Sequence, residues 1–380
     1  MNLLKLTVDE NIVFAKEAFA DFGRINLLNG RKISRKDLTD TDILIVRSIT
    51  QVDSALLDGT KVKVVGTATI GTDHIDIQYL KSKGITFFSA AGCNSMSVAE
   101  YVLAVLIYIA SEFEFTLENK SIGIIGVGNV GSKVRKIAES LGMKVIQNDP
   151  PKQRAYLDEK YYNLEEALSA DIVTFHVPLN MSGIDKTYHL LNKKNISLIK
   201  PMSILINTSR GAVIDNLALK NRLKKRRDFR VVLDVWEKEP DIDIELLNLI
   251  DIATPHIAGY SLDGKVNGTK IIYDSICSYL KKEISWKPEL SCKNEILKWD
   301  SEKSLEQNLY NIFQKVYPVW EDDQNFRKSI ESNYAEVKNQ FDLFRKNYWT
   351  RHELSNYEID GNNLDLKTIK LLQALKINIC

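Results

Sequence analysis

The chain reads as an α/β protein with two doubly wound parallel-sheet domains and a small C-terminal α+β domain. Three observations predict this. Short apolar runs alternate with polar helical stretches over the first hundred residues, the signature of a parallel sheet covered by helices. The alternation restarts after residue 121, and beyond residue 296 the composition turns aromatic and charged, almost without Gly or Pro. At 380 residues the chain exceeds what one ordinary core holds.

In order, LLKLTVDE, DILIVRS, KVKVVGTAT and GITFFSA read as strands of the first sheet. A helix is expected from Ser97 to about Phe115. Its run 101-YVLAVLIYIA-110 is shorter than the ~20 residues that span a bilayer, so it reads as a buried helix. The second sheet takes SIGII, KVIQNDPP, DIVTFHVPL, SILINTSRG, FRVVLDVWE and DIATPHIA. A further helix runs from Tyr260 to about Lys282, and the proline-bearing 283-EISWKPELSCKNEI-296 reads as a linker. Residues 1–98 with 261–285 are expected to form one domain and 99–260 the second. Residues 286–380, built around FDLFRKNYWTRHELSNYEI, form the third.

A formal net charge of +1 offers no field to draw nucleic acid or an anionic membrane, so neither partner is expected. The basic run 222-RLKKRRDFR-230 has no interleaved aromatics and reads as a solvated face. MNLLKLTVDEN carries acids where an export signal needs an apolar core. Cys93, Cys277, Cys292 and Cys380 show no C-x-x-C pairing, which fits a reduced, cytoplasmic setting.

The strongest local signal is 126-GVGNVG-131, which follows the apolar SIGII and opens the helical SKVRKIAESLG. That context is what a dinucleotide fingerprint needs, and it makes this domain Rossmann-like. Gly126 permits the tight turn, Gly128 lets a pyrophosphate approach the backbone, and Gly131 packs helix on strand. Asn129 and Val130 complete the loop, whose helix N-terminus offers N–H groups to phosphates. The next strand ends in Asp149, about where a ribose-binding acid is expected. A carboxylate there accepts from ribose hydroxyls and repels a 2′-phosphate, which favours NAD over NADP. Three more strand ends carry charge: Arg210 in LINTSRGAVID, Glu239 in VVLDVWEKEP and His256 in TPHIAG. Strand C-termini of a parallel sheet converge on one crevice, so the three form a chemical set there.

In GVGNVG, INTSRG, LDVWEKEP and TPHIAG, found in this order, the chain resembles the D-isomer-specific 2-hydroxyacid dehydrogenases over roughly residues 1 to 285. Within that family VDEN, VRSIT, GTATIGTDHID, HIAGYSLDGK and FDLFRKNYW carry a likeness to one subgroup along the whole chain. The resemblance implies NAD-dependent oxidation of a small phosphorylated 2-hydroxy acid, catalysed by Arg210, Glu239 and His256. The chemistry suits those side chains. An imidazole takes the hydroxyl proton, a carboxylate fixes its tautomer, and a planar guanidinium holds the substrate carboxylate or hydroxyl oxygen. No second histidine or cysteine lies at ligand spacing from His256, which argues against zinc. The resemblance also implies that Thr208, Ser209 and Arg210 contact the cofactor and that Asp234 and Gly259 line its nicotinamide half. For Asp234 a strand acid bonded to the backbone is nearly as good a reading. Ser48, Thr69 and Tyr260 are expected at the substrate, and N–H groups of the Ala68–Gly71 turn could hold a carboxylate. Arg47, Ser48, Tyr260, Lys265, Arg345 and Lys346 are candidates for the substrate phosphate, Tyr260 and Lys265 first. The third domain is expected to form a homodimer. Two other functions stay open: oxidation of another hydroxy acid such as 3-phosphoglycerate, and a non-enzymatic NAD-sensing regulator.

Overall fold

The computed structural model describes residues 3–156, 158–289, 295–331, 336–360 and 364–380. Cys292 and the part of the expected linker at 290–294 lie outside the described residues. The chain divides into two compact units, Met1–Asn94 with Tyr260–Ser291, and Ser95–Gly259 with Cys292–Cys380.

The first unit holds five parallel strands, β1 (Leu4–Asp9), β2 (Gly23–Leu28), β3 (Ile43–Val46), β4 (Val64–Thr67) and β5 (Thr86–Ser89), in the order β2-β1-β3-β4-β5. One face packs Leu6, Val8, Ile43 and Ile45 against Ile272, Tyr273 and Ile276 of the helix Leu262–Leu280. The other packs Leu44, Val46, Val52 and Val65. β3 is buried at every residue, so its sequence ILIV is apolar throughout. β2 was not among the expected strands. It is an edge strand that no residue of GRINLL fully buries, so no continuous apolar run marks it.

The second unit is built on six parallel strands: β6 (Ser121–Ile125), β7 (Lys144–Asn148), β8 (Ile172–Phe175), β9 (Ile204–Asn207), β10 (Arg230–Leu233) and β11 (Ile252–Ala253). Their order is β11-β10-β9-β8-β6-β7. Because all six run the same way, every strand C-terminus lies on one edge of the sheet. The helix Ser95–Glu112 is buried along almost its whole length, which is why it is apolar on all sides.

The C-terminal part adds three short parallel strands, β12 (Glu295–Leu297), β13 (Tyr357–Ile359) and β14 (Asn378–Ile379). Its helices are Leu305–Val316, Val319–Glu331, Val337–Lys346 and Leu366–Ala374. This is the small C-terminal domain expected from the sequence, and it packs within the second unit. Leu309, Ile312, Phe313 and Val316 share one continuous core with Val105, Ile109, Ile122 and Val134, so this segment forms one unit with residues 95–259. A buried ion pair ties the two parts together: Glu100 Oε2 accepts from Arg351 Nη1 at 2.7 Å, with both side chains at most 1% exposed. The partners stand 251 positions apart, beyond the reach of any local pattern.

Candidate active site

The second unit gathers the nucleotide loop and the charged strand ends on the C-terminal edge of its sheet. After β6, Gly126 takes φ 87°, and a Cβ there would meet His176 O at 2.7 Å. At Gly131 a Cβ would lie 2.0 Å from Gly126 O, so helix Gly131–Ser140 packs directly on the turn. Gly128 differs, since nothing stands within 4 Å of its Cβ position. Gly128 and Asn129 are exposed, and Val130 is half-buried against the core. A loop closed at both ends and open in the middle fits a pyrophosphate approaching the backbone.

Asp149 follows β7 half-buried, with Oδ2 accepting from Val127 N at 2.8 Å and Oδ1 from Lys152 N at 3.0 Å. It therefore fixes the glycine loop and caps the short helix Pro150–Ala155 together. Each carboxylate oxygen keeps a lone pair for a ribose hydroxyl. These residues fit a dinucleotide.

His256 and Glu239 are in contact. The imidazole Nδ1 lies 2.9 Å from Glu239 Oε1 and 3.1 Å from Oε2, with the side chains 33% and 24% exposed. Glu239 can only accept when ionised, so Nδ1 carries the proton and Nε2 is the nitrogen that can take one. The histidine backbone is left-handed, φ 57°, and its N–H donates to Asp234 O at 2.6 Å. Asp234 is 1% exposed. Its carboxylate accepts from Thr254 Oγ1 at 2.7 Å, Ile257 N at 2.7 Å and Ala258 N at 3.1 Å. It holds the turn that runs on to Gly259.

Arg210 is half-buried after β9, and its Nη1 donates to Ser209 O at 2.8 Å. Gly211 beside it packs on the end of β10, where a Cβ would lie 1.9 Å from Trp236 C. Ser209 turns its hydroxyl to Asn207 Oδ1 at 2.8 Å. Thr208 Oγ1 stands 3.3 Å from His176 Nδ1. His176 follows β8 and was passed over in the sequence, although its place at a strand end carried the same signal as Arg210. Its Nε2 bonds Thr174 Oγ1 at 3.0 Å, and burial pushes its pKa down to about 3, so it is neutral near pH 7.

One further cluster combines ligand-type residues: His189, Asp215 and Glu237, all in the second unit. Glu237 Oε1 lies 2.7 Å from Nε2, whereas Asp215 Oδ2 lies 3.9 Å from Nδ1. The carboxylates face different ring nitrogens, whose lone pairs diverge, so the arrangement suits a histidine held between two acids.

In the first unit, Thr69 follows β4, and its Oγ1 is 2.9 Å from Thr67 Oγ1, which in turn is 3.0 Å from His74 Nε2. Ser48 is exposed just after β3. Arg47 Nε donates to Asp9 Oδ2 at 3.1 Å, and that carboxylate is fully buried. The VDEN stretch thus has a physical meaning, since its acid anchors Arg47. Lys265, in the first turn of helix 262–280, lies 5.2 Å over the Tyr260 ring. Burial and then the charge of Arg47 hold the Lys265 pKa below the usual lysine range. Arg345 and Lys346 end helix 337–346 in the second unit, with Arg345 5.8 Å over Phe341.

Residues 109–258 match the D-isomer specific 2-hydroxyacid dehydrogenase, NAD binding domain, and residues 292–375 match a domain of unknown function (DUF3410). Among solved structures, D-lactate dehydrogenase from Aquifex aeolicus, complexed with NAD and lactic acid, is 27% identical. It covers 73% of this chain and 95% of its own, at a TM-score of 0.60. The NAD+-bound 3-phosphoglycerate dehydrogenase of Entamoeba histolytica is 25% identical, over 73% of this chain and 95% of its own, at 0.63. Fold and site thus define an NAD-dependent dehydrogenase of the D-isomer-specific 2-hydroxyacid class. Two curated relatives extend over the C-terminal part as well. The erythronate-4-phosphate dehydrogenase of Proteus mirabilis is 43% identical over 99% of both chains, and that of Klebsiella pneumoniae is 40% identical over 99% of this chain and 98% of its own. The chain belongs to the erythronate-4-phosphate dehydrogenase family, and its cofactor is NAD.

Proposed function

We propose that the chain oxidises 4-phospho-D-erythronate at C2, giving (R)-3-hydroxy-2-oxo-4-phosphooxybutanoate, a step of pyridoxal 5′-phosphate synthesis in the cytoplasm. The observation that carries the catalytic part is the His256–Glu239 pair, 2.9 Å apart on the strand edge that also bears the nucleotide loop. Bound NAD supplies the acceptor for the C2 hydride. His256 Nε2 takes the hydroxyl proton, and Glu239 keeps Nδ1 protonated and favours the imidazolium that forms. Arg210 holds a substrate oxygen with its planar fork and offsets charge in the transition state. Thr208, Ser209 and Gly259 belong to the cofactor side, and Asp234 acts there through the turn it holds.

Ser48, Thr69 and Tyr260 are assigned to the substrate. Arg47 and Lys265 are our choice for its phosphate. Asp9 offsets the charge of Arg47, whereas Lys265 has no carboxylate partner among the described residues. Two cations that repel each other and share a single carboxylate partner favour a dianion. The homodimer is assigned to the C-terminal segment, where a groove between helices 319–331 and 337–346 exposes Leu343 at 48% and Trp349 at 43%.

A substrate panel tests this reading. NADH should form with erythronate 4-phosphate and not with lactate or 3-phosphoglycerate. Lys265→Ala should raise KM for the phosphorylated substrate roughly 10–100-fold, the scale of one charge-assisted contact, with NAD affinity unchanged. Equal turnover of 3-phosphoglycerate would overturn the substrate assignment, and a parental KM in the variant would remove Lys265 from the phosphate.

A further inference from the structure

Tyr101 is fully buried in helix 95–112, and its hydroxyl lies 2.7 Å from Thr254 Oγ1. The single hydroxyl proton of Thr254 goes to Asp234 Oδ1, also at 2.7 Å, so Tyr101 is the donor in the first bond. The proton donors therefore run one way, from Tyr101 to Thr254 to the Asp234 carboxylate. That carboxylate collects two more donors from the backbone, Ile257 N and Ala258 N, directly after His256. His256 holds φ 57°, a conformation that a side-chain-bearing residue keeps only when its surroundings fix it. Burial raises the Asp234 pKa, while the charge of His256, the Thr254 hydroxyl and the two N–H groups pull it down.

From the opposite direction Tyr101 meets the C-terminal segment. The Tyr317 ring stands edge-on to it, centroids 5.9 Å apart at 60°. The Arg351 guanidinium lies 3.9 Å over the Tyr317 ring and pairs with Glu100, the residue before Tyr101. Glu353 Oε1 accepts from both N and Oγ of Ser97, at 3.2 and 2.6 Å, and so fixes the first turn of the same helix. The charged and titratable groups around Tyr101 are thus Asp234, Glu100, Asp323, Tyr317 and Arg351.

We infer that Tyr101 is a positioning residue for His256, acting through Thr254 and Asp234, and that the C-terminal segment holds Tyr101 in place through Tyr317, Arg351 and Glu353. The inference rests on His256 being the base. A tyrosine that merely filled the core would need its ring alone. Here its proton goes to Thr254, whose own proton goes to the carboxylate that holds the histidine's turn. The C-terminal segment thereby gains a part in the reaction.

Tyr101→Phe in the full chain keeps the ring and deletes the donor. Expected are a kcat lower by roughly 5–20-fold, the scale of a lost supporting contact, and KM values for NAD and substrate within about twofold of the parent. The acid limb of the pH–rate profile should move to higher pH, because Asp234 with a weakened donor behind it keeps more of its charge and favours the imidazolium more. Tyr317→Leu should act in the same direction, and Glu353→Gln, a gentler change, in smaller measure. Ile330→Val, in a different core, should lower Tm while leaving kcat and the profile alone. His256→Asn fixes the floor, roughly 10²–10⁴-fold down. If His256→Asn is inactive while Tyr101→Phe keeps the parental kcat and profile, the positioning role is wrong and the base assignment stands. If His256→Asn stays active, the base assignment itself falls. Should Tyr317→Leu and Glu353→Gln lower only Tm, the C-terminal segment has no part in positioning.

Discussion

Arg351→Met tests whether the C-terminal segment is part of the second unit's fold. The substitution leaves Glu100, which is 0% exposed, without the guanidinium 2.7 Å away, and retains its bond from Leu354 N at 2.8 Å. Removing one partner of a buried pair costs about 3–5 kcal/mol, because the other charge stays desolvated. The unit Ser95–Gly259 with Cys292–Cys380 has roughly 250 residues and an unfolding entropy of about 0.5 kcal/mol/K, so Tm should fall by about 6–10 °C. Burial already pushes the Glu100 carboxyl up against the pull of Arg351. Without the arginine the carboxyl escapes part of the penalty by staying protonated. The folded state then binds a proton that the unfolded chain, with its ordinary value of 4.5, releases. Stability of the variant must therefore drop as pH rises above about 4.5, and the variant is most stable in mild acid. Glu100→Gln combined with Arg351→Met should recover part of the loss and flatten that pH dependence. Scanning calorimetry at several pH values reads all three. A loss below about 1 kcal/mol, or a double variant as unstable as the single one, would refute the reasoning.

The remaining expectations are shorter. Asp149→Ser should narrow the preference for NAD over NADP by roughly 10–100-fold in kcat/KM, since it deletes an acceptor for ribose hydroxyls and a charge that repels a 2′-phosphate. A parental cofactor ratio would dismiss that role, although some loss of stability is expected because Asp149 also caps helix 150–155. Leu343→Glu with Trp349→Glu should convert a dimer to a monomer by light scattering, with Tm nearly unchanged because both residues are exposed. A dimer that survives both charges would move the contact elsewhere.

Much of this site is legible because parallel sheets obey one geometric rule. Once GVGNVG marks a strand end, the charged residues closing the next strands must fall on the same edge, and Arg210, Glu239 and His256 do. His256 and Glu239 also touch. The rule is silent about what supports those residues. Nothing in VVLDVW says that Asp234 turns inward to two N–H groups and a hydroxyl, since that depends on the left-handed backbone at His256. VDEN was legible as a resemblance, but the burial of Asp9 against Arg47 needs the pairing of β1 with β3. The C-terminal segment was the least legible. Its strands are two or three residues long, too short for a period, and its anchors to helix 95–112 cross more than 250 positions.

The placement of buried charge separates the two jobs the chain has to do. In the second unit two of the groups assigned above to proton transfer and its support form compensated sets: Glu239 on His256, and Asp234 with donors on both oxygens. Compensation fixes protonation states, which proton transfer demands, and it leaves little charge over for a ligand. In the first unit the balance is the opposite, with Arg47 offset by Asp9 and Lys265 left to repel it. An incomplete set is poor for holding a proton in place and good for drawing an anion, and the dianion we propose for this site would relieve that repulsion. Substitutions in the compensated sets should therefore appear in kcat and its pH dependence. Substitutions at Arg47 or Lys265 should appear in KM for the phosphorylated substrate, and a variant that broke this division would mean that the phosphate helps organise the proton-transfer groups as well.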